Sequence, residues 1–255
     1  MHTPDPQRLG GLAWTRRTRG ALTREERRRL LAALARAQAE NLAGRVKLAL
    51  GRLPAGAKDL ELTDFRPPDS ALARAAEEAC AEQSPAVAGH SHRTWMFGSA
   101  LAALDGVELD PELFYLGALL HDFGIEQAVA GEDFTLRSAE RAISCGTAAG
   151  LNAAQADLVA DAITVHATPG IAAGADGALG YYTQSGATAD LAGIRLWDLP
   201  KPLISGAVQL HPRHGVKRKI QGLIRDEARA VPEGRFALLA RYGFVVAVKL
   251  SPIPD

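Results

Sequence analysis

Seven histidines lie along the 255-residue chain, and four of them, His90, His92, His121 and His166, stand in apolar or helical surroundings. The most unusual feature is His121-Asp122, which closes the almost wholly apolar run Leu113-Phe114-Tyr115-Leu116-Gly117-Ala118-Leu119-Leu120. Burying two adjacent ionisable side chains without partners costs roughly several kcal/mol. Either hydrogen bonds at a helix end or a bound cation must therefore compensate. His90 shares a stripe with Phe97 and Leu101 at helical spacing and so faces inward, while Asp190 sits in the small apolar stretch Ala187-Thr188-Ala189-Asp190-Leu191-Ala192-Gly193. Two imidazoles and two carboxylates make a mixed nitrogen and oxygen donor set, suited to Zn²⁺, Mn²⁺ or Fe²⁺ and unsuited to Cu(I). A metal so held, with one position open, lowers the pKa of bound water and makes a nucleophile near neutral pH. No Ser/His/Asp or Cys/His arrangement competes with that chemistry. His2 near the start of the chain carries no role, and His211 and His214 flank Pro212-Arg213 in a basic turn that suits a solvated surface.

The elements that must position these residues read as helices. Thr23 and Glu26 have capping-box spacing ahead of Leu30, Leu31 and Leu34, then Leu42, Val46 and Leu50, predicting one amphipathic helix that ends near Gly51-Arg52-Leu53-Pro54. Pro67-Pro68-Asp69-Ser70 starts a helix over about 71–82, a second covers about 86–104, and Asp110-Pro111-Glu112 opens the apolar helix that meets Gly124. Further helices are predicted at about 134–145, 153–166 (capped by Asn152), 185–197, 214–230 and 233–241. The first twenty residues, with Pro4, Pro6 and Gly10-Gly11, are expected to have little regular structure. Pro169, Gly170, Gly174, Gly177 and Gly180 make 167–184 a loop, and Phe244-Val245-Val246-Ala247-Val248 reads as a strand or a buried terminal tail. The fold class is all-α.

The pattern H…HD…D on a helical bundle resembles the HD-domain superfamily of metal-dependent hydrolases, closest to its cyanamide-hydratase-like branch. The residues that carry the resemblance are Pro67-Pro68-Asp69-Ser70, His90-Ser91-His92-Arg93, Leu119-Leu120-His121-Asp122-Phe123-Gly124, Ala162-Ile163-Thr164-Val165-His166, the Asp190 stretch and Pro212-Arg213. They arrive in the family's order over about residues 60–245. The resemblance implies that His90, His121, Asp122 and Asp190 hold one metal ion. It favours His90 over His92, which points about 200° away on a helix, because the family's His-Ser-x-Arg begins at His90. Arg93 stays near the site, either to orient a ligand carboxylate or an anionic substrate group, or as a structural salt bridge. His166, as a neutral imidazole, is expected to hold substrate or shuttle a proton, beside Asp122 in the catalytic centre. Glu126, four residues after Asp122, ranks low. One departure concerns substrate: the hydratase-like branch has an acid after the phenylalanine that opens the next helix, whereas here Thr135 follows Phe134 and the nearest helical acid is Glu140.

Composition bounds these expectations. The chain is 47% hydrophobic and 23% charged, as in an ordinary globular protein. Cys80 and Cys145 cannot form a disulfide framework, no run approaches a membrane span, and no signal-like stretch opens the chain, so a cytoplasmic location without a membrane partner is expected. The net charge of zero argues against a general nucleic-acid binder but divides into +8 over residues 1–60 and −8 over 61–255. That division separates a basic N-terminal arm and amphipathic helix, 1–58, from an HD-type catalytic domain, 59–255. The arm's arginines form a solvated face, contact a phosphate-rich partner, or support a homo-oligomer. The expected function is metal-activated water acting on a small substrate, with one divalent ion, zinc foremost, as cofactor and a cyanamide- or nitrile-like molecule as substrate. The alternatives are a phosphohydrolase acting on a nucleotide or other phosphate ester, and a catalytically silent helical module with a structural metal.

Overall fold

Asp110 opens α5 (Pro111–Leu120) by accepting hydrogen bonds from the Glu112 and Leu113 backbone amides, with Pro111 at the position where a missing N–H costs nothing. From Leu113 to Leu120 every residue of this helix is buried, and it runs through the centre of an all-α bundle. The computed structural model describes residues 8–255, so His2, Pro4 and Pro6 lie outside the described residues. Thirteen α-helices and no strand are present among the described residues; the only β-type pairings there are the single bridges Ala21–Gly234 and Val129–Glu132.

Helix α4 (Pro85–Leu104) and α9 (Ala178–Ala192) lie beside α5 and cross each other at glycines. A Cβ on Gly186 would meet the Thr94 carbonyl oxygen at 2.0 Å, and one on Gly98 would meet the Tyr182 carbonyl oxygen at 2.6 Å. The absence of side chains at these two points lets the backbones touch, which brings His90 on α4 up to Asp190 on α9. Helix α7 (Ala153–His166) begins at a capping box between Asn152 and Gln155 and delivers His166 at its last position. Helix α6 (Phe134–Ala148), capped by Asp133, packs on α7, and α3 (Ala71–Cys80), capped by Ser70, packs on α5 and α6.

Four local expectations are corrected. Leu12–Thr18 is a helix (α1), because Leu12, Trp14 and Thr15 are buried and Asp161 holds both the Leu12 amide and Arg8. The supposed loop 167–184 contains one turn, α8 (Ala173–Asp176), and the start of α9 at Ala178. Gly180 there marks close packing rather than a turn, since its Cβ would lie 2.3 Å from Val165. Phe244–Lys249 is helical (α13), not a strand: Ala247 and Val248 are buried on that turn, so tertiary packing overrides the preference of valine for strands. Helix α10 (Lys201–Leu210) was not foreseen; α11 (Val216–Ala230) and α12 (Arg235–Arg241) lie close to their predicted places.

The basic arm is laid on the body. Helix α2 (Arg24–Ala49) starts at the Thr23–Glu26 capping box and crosses at Gly44, where a Cβ would be 2.2 Å from the Trp197 ring, and at Ala33, which abuts Gly170.

Candidate metal centre

His90 is fully buried in the middle of α4, and its ring is aimed by Asp190, whose Oδ2 accepts from Nδ1 at 2.7 Å. His121, equally buried, donates from Nδ1 to the Ala118 carbonyl at 2.7 Å, within its own helix end. Each ring therefore keeps Nε2 free of hydrogens, and both Nε2 atoms are buried with no hydrogen-bond partner. The two lone pairs converge on Asp122, whose Oδ2 lies 3.6 Å from His90 Nε2 and 3.5 Å from His121 Nε2. Those gaps are too long for hydrogen bonds. They match the roughly 3.3–3.6 Å that separates ligand atoms around a tetrahedral ion with bonds of about 2.0–2.2 Å. A buried His90–His121–Asp122 group that could hold a metal ion is thus present. Burial pushes the His121 imidazole down to about 3, keeping it in the neutral form that metal ligation needs.

His166 completes the ring of donors around the same carboxylate. Its Nδ1 donates to the Ile163 carbonyl, its Nε2 lies 3.6 Å from Asp122 Oδ1, and its ring stands edge-on to that of His121 at 4.9 Å. Gln184 Nε2 fixes the chain beyond it by donating to the carbonyls of His166 and Thr168.

Asp190 is placed one layer back. Arg93 grips it with a fork, Nε to Oδ1 at 2.8 Å and Nη2 to Oδ2 at 2.9 Å; Arg213 Nη1 also donates to Oδ1, at 2.5 Å. With the His90 bond these occupy all four lone-pair positions of the carboxylate. The structure therefore brings His90, His121 and Asp122 together, as expected of the ligand set, and leaves Asp190 behind His90 as its orienting partner, the usual place for a carboxylate that fixes a ligand's tautomer. Burial opposes ionisation of Asp190, but Arg93, the His90 hydrogen bond and Arg213 outweigh it and hold the carboxyl far below the usual range.

Arg93 is paired with Asp190, so its donors go to a carboxylate and to backbone carbonyls rather than to an anionic substrate group. Its side chain is fully buried, and Nη1 is taken by the carbonyls of His211 and Pro212. Arg213 corrects the reading of the 211–214 turn as solvated: it is buried between Asp190 and Asp255. His211 likewise stacks on His92 at 4.2 Å, while His92 faces Glu77, away from the centre. Glu126 is spent on the Ser84 amide and Lys219, and Glu140 is exposed, so neither acid reaches the centre.

A cavity of about 240 Å³ opens onto His121, Asp122 and His166. One wall comes from α2, through Leu34 of its predicted apolar stripe and through Ala37, which nothing in the sequence pattern singled out. No protein-family model matches the chain, and no curated protein matches it.

Proposed function

We propose that the protein is a metal-dependent hydrolase or hydratase of the HD-domain type, acting on a small uncharged substrate of the cyanamide or nitrile kind. The observation that carries this reading is the pair of buried, unpartnered Nε2 atoms aimed at one carboxylate. His90, His121 and Asp122 hold the ion, Zn²⁺ by preference from the donor chemistry, with Mn²⁺ and Fe²⁺ as the other fits. When bound, a divalent ion there supplies Lewis acidity and lowers the pKa of coordinated water toward neutrality.

The chain's own groups do the rest. Asp190, clamped by Arg93 and Arg213, keeps His90 from rotating. His166 has Nδ1–H pinned to Ile163, so Nε2 is the nitrogen that takes a proton from water and hands it to substrate nitrogen. Asp122 Oδ1, 3.6 Å from His166 Nε2, stabilises that imidazole by its charge while it carries the proton.

Charge favours the hydration chemistry over phosphoryl transfer. A phosphoryl substrate needs cations free to meet its developing charge, yet Arg93 is buried and fully committed. The basic arm does fold over the cavity, but it contributes Leu34, Ala37, Gln38 and Glu40 to the lining and no arginine. The test is a parallel assay of cyanamide and simple nitriles against nucleotides and a generic phosphate ester, in zinc-, manganese- and iron-loaded protein. Nitrile-type turnover that disappears in His121→Ala is expected; phosphate release with no nitrile turnover would overturn the reading.

A further inference from the structure

We infer that the substrate carries an uncharged apolar body, chain or ring, larger than its reacting group, and that this body is seated between α2 and the C-terminal helices. The inference rests on the proposed water-adding centre and specifies what that centre takes. Much of the wall is hydrocarbon: Leu34 and Ala37 on α2 line the cavity together with Ile220, Ile224, Phe236 and Leu239, the cluster against which Leu34 packs. Arg195 is the one cation among the described lining residues apart from the histidines, and it is consumed by Asp105 at 2.7 and 2.9 Å and Asp198 at 3.0 Å. Two of the neutral polar groups are occupied too. Gln184 donates to the carbonyls of His166 and Thr168, and the Thr188 hydroxyl donates to the Gln184 carbonyl. An anionic substrate body would leave water here without finding a free cation, while the polar residues Gln38 and Glu40 enter the lining from exposed positions on α2.

Size points the same way. An apolar cavity of about 150 Å³ takes up benzene, so about 240 Å³ is far more than a three-atom cyanamide or nitrile group fills. Most residues that line the cavity are apolar, so the surplus offers burial to a hydrocarbon substituent. Ala37 is the smallest side chain that α2 contributes to the lining, beside Leu34, Gln38 and Glu40, so enlarging it narrows the space.

The test uses the full-length chain and straight-chain primary amides, acetamide to hexanamide, as non-reacting probes whose binding is measured by calorimetry. Dissociation constants are expected to fall about fourfold per added methylene until the space is full, as for burial of one CH₂. Ala37→Phe should cut that gain for the longer amides relative to acetamide, and a chain ending in carboxylate should lose it. Affinity independent of chain length, or equal binding of the carboxylate-tipped probe, would overturn the inference. Nitrile turnover assayed separately keeps the two claims apart. Length-dependent amide binding with no nitrile turnover sustains the apolar subsite and defeats the hydration reading; cyanamide turnover with flat amide binding does the reverse.

Discussion

Asp190 shows how much one side chain's role depends on neighbours remote in sequence. As a lone carboxylate in a small apolar stretch it needs a partner, and His90 is one; but Arg213 arrives 23 residues later and Arg93 from another helix, and together they take the oxygens a metal would need. Asp190→Asn leaves two guanidiniums buried with a neutral partner. A loss of about 3–5 kcal/mol is expected in urea unfolding, as for a buried pair deprived of one member, and metal affinity measured by chelator competition should weaken by about 10–100-fold. His90, His121, Asp122 and His166 were legible because polar groups on apolar helices need a reason to be there. The lone Nε2 atoms were not, since the tautomer of each ring is set by a hydrogen bond that only the fold reveals: Ala118 for His121, Asp190 for His90.

Among the elements, those with an explicit start signal were read correctly: Asp110-Pro111, Asn152 with Gln155, Thr23 with Glu26. Those whose composition serves packing were not. Gly177 and Gly180 look like punctuation, yet Gly180 lets α9 press on α7, and Gly186 lets it press on α4. At Gly186 a Cβ would collide with backbone, which cannot swing aside, so Gly186→Ala should destabilise the protein by about 1–3 kcal/mol, the usual cost of overpacking. Thermal unfolding measures the loss, and the same variant should bind metal more weakly, because this crossing holds His90 against Asp190. An unchanged melting temperature would mean that α4 and α9 are not in contact there.

For the whole molecule, the balance of charge hides a basic arm that is part of the cavity's wall rather than a free appendage. Among the described residues no helix is long and apolar enough to cross a membrane. Away from the metal centre, Glu227 on α11 accepts the Phe134 amide with Oε1 and leaves Oε2 buried without a hydrogen bond, 4.0 Å from Arg137 Nη2; burial, with Asp133 nearby, pushes its carboxyl up to about 7. The folded state thus favours the protonated acid. Its contribution is full below the ordinary value of 4.5 and is lost as pH rises through about 7. Urea midpoints at pH 5 and pH 8 should therefore show Glu227→Gln gaining on the unaltered chain at the higher pH; no change in the difference between the two would mean Glu227 titrates normally.

The most direct measurement is elemental analysis of the purified full-length chain beside His121→Ala and Asp122→Ala, with circular dichroism to confirm that each folds. A stoichiometric divalent ion in the unaltered chain, lost from both folded variants, is expected of a centre built on these residues. Full metal occupancy in both variants would contradict it.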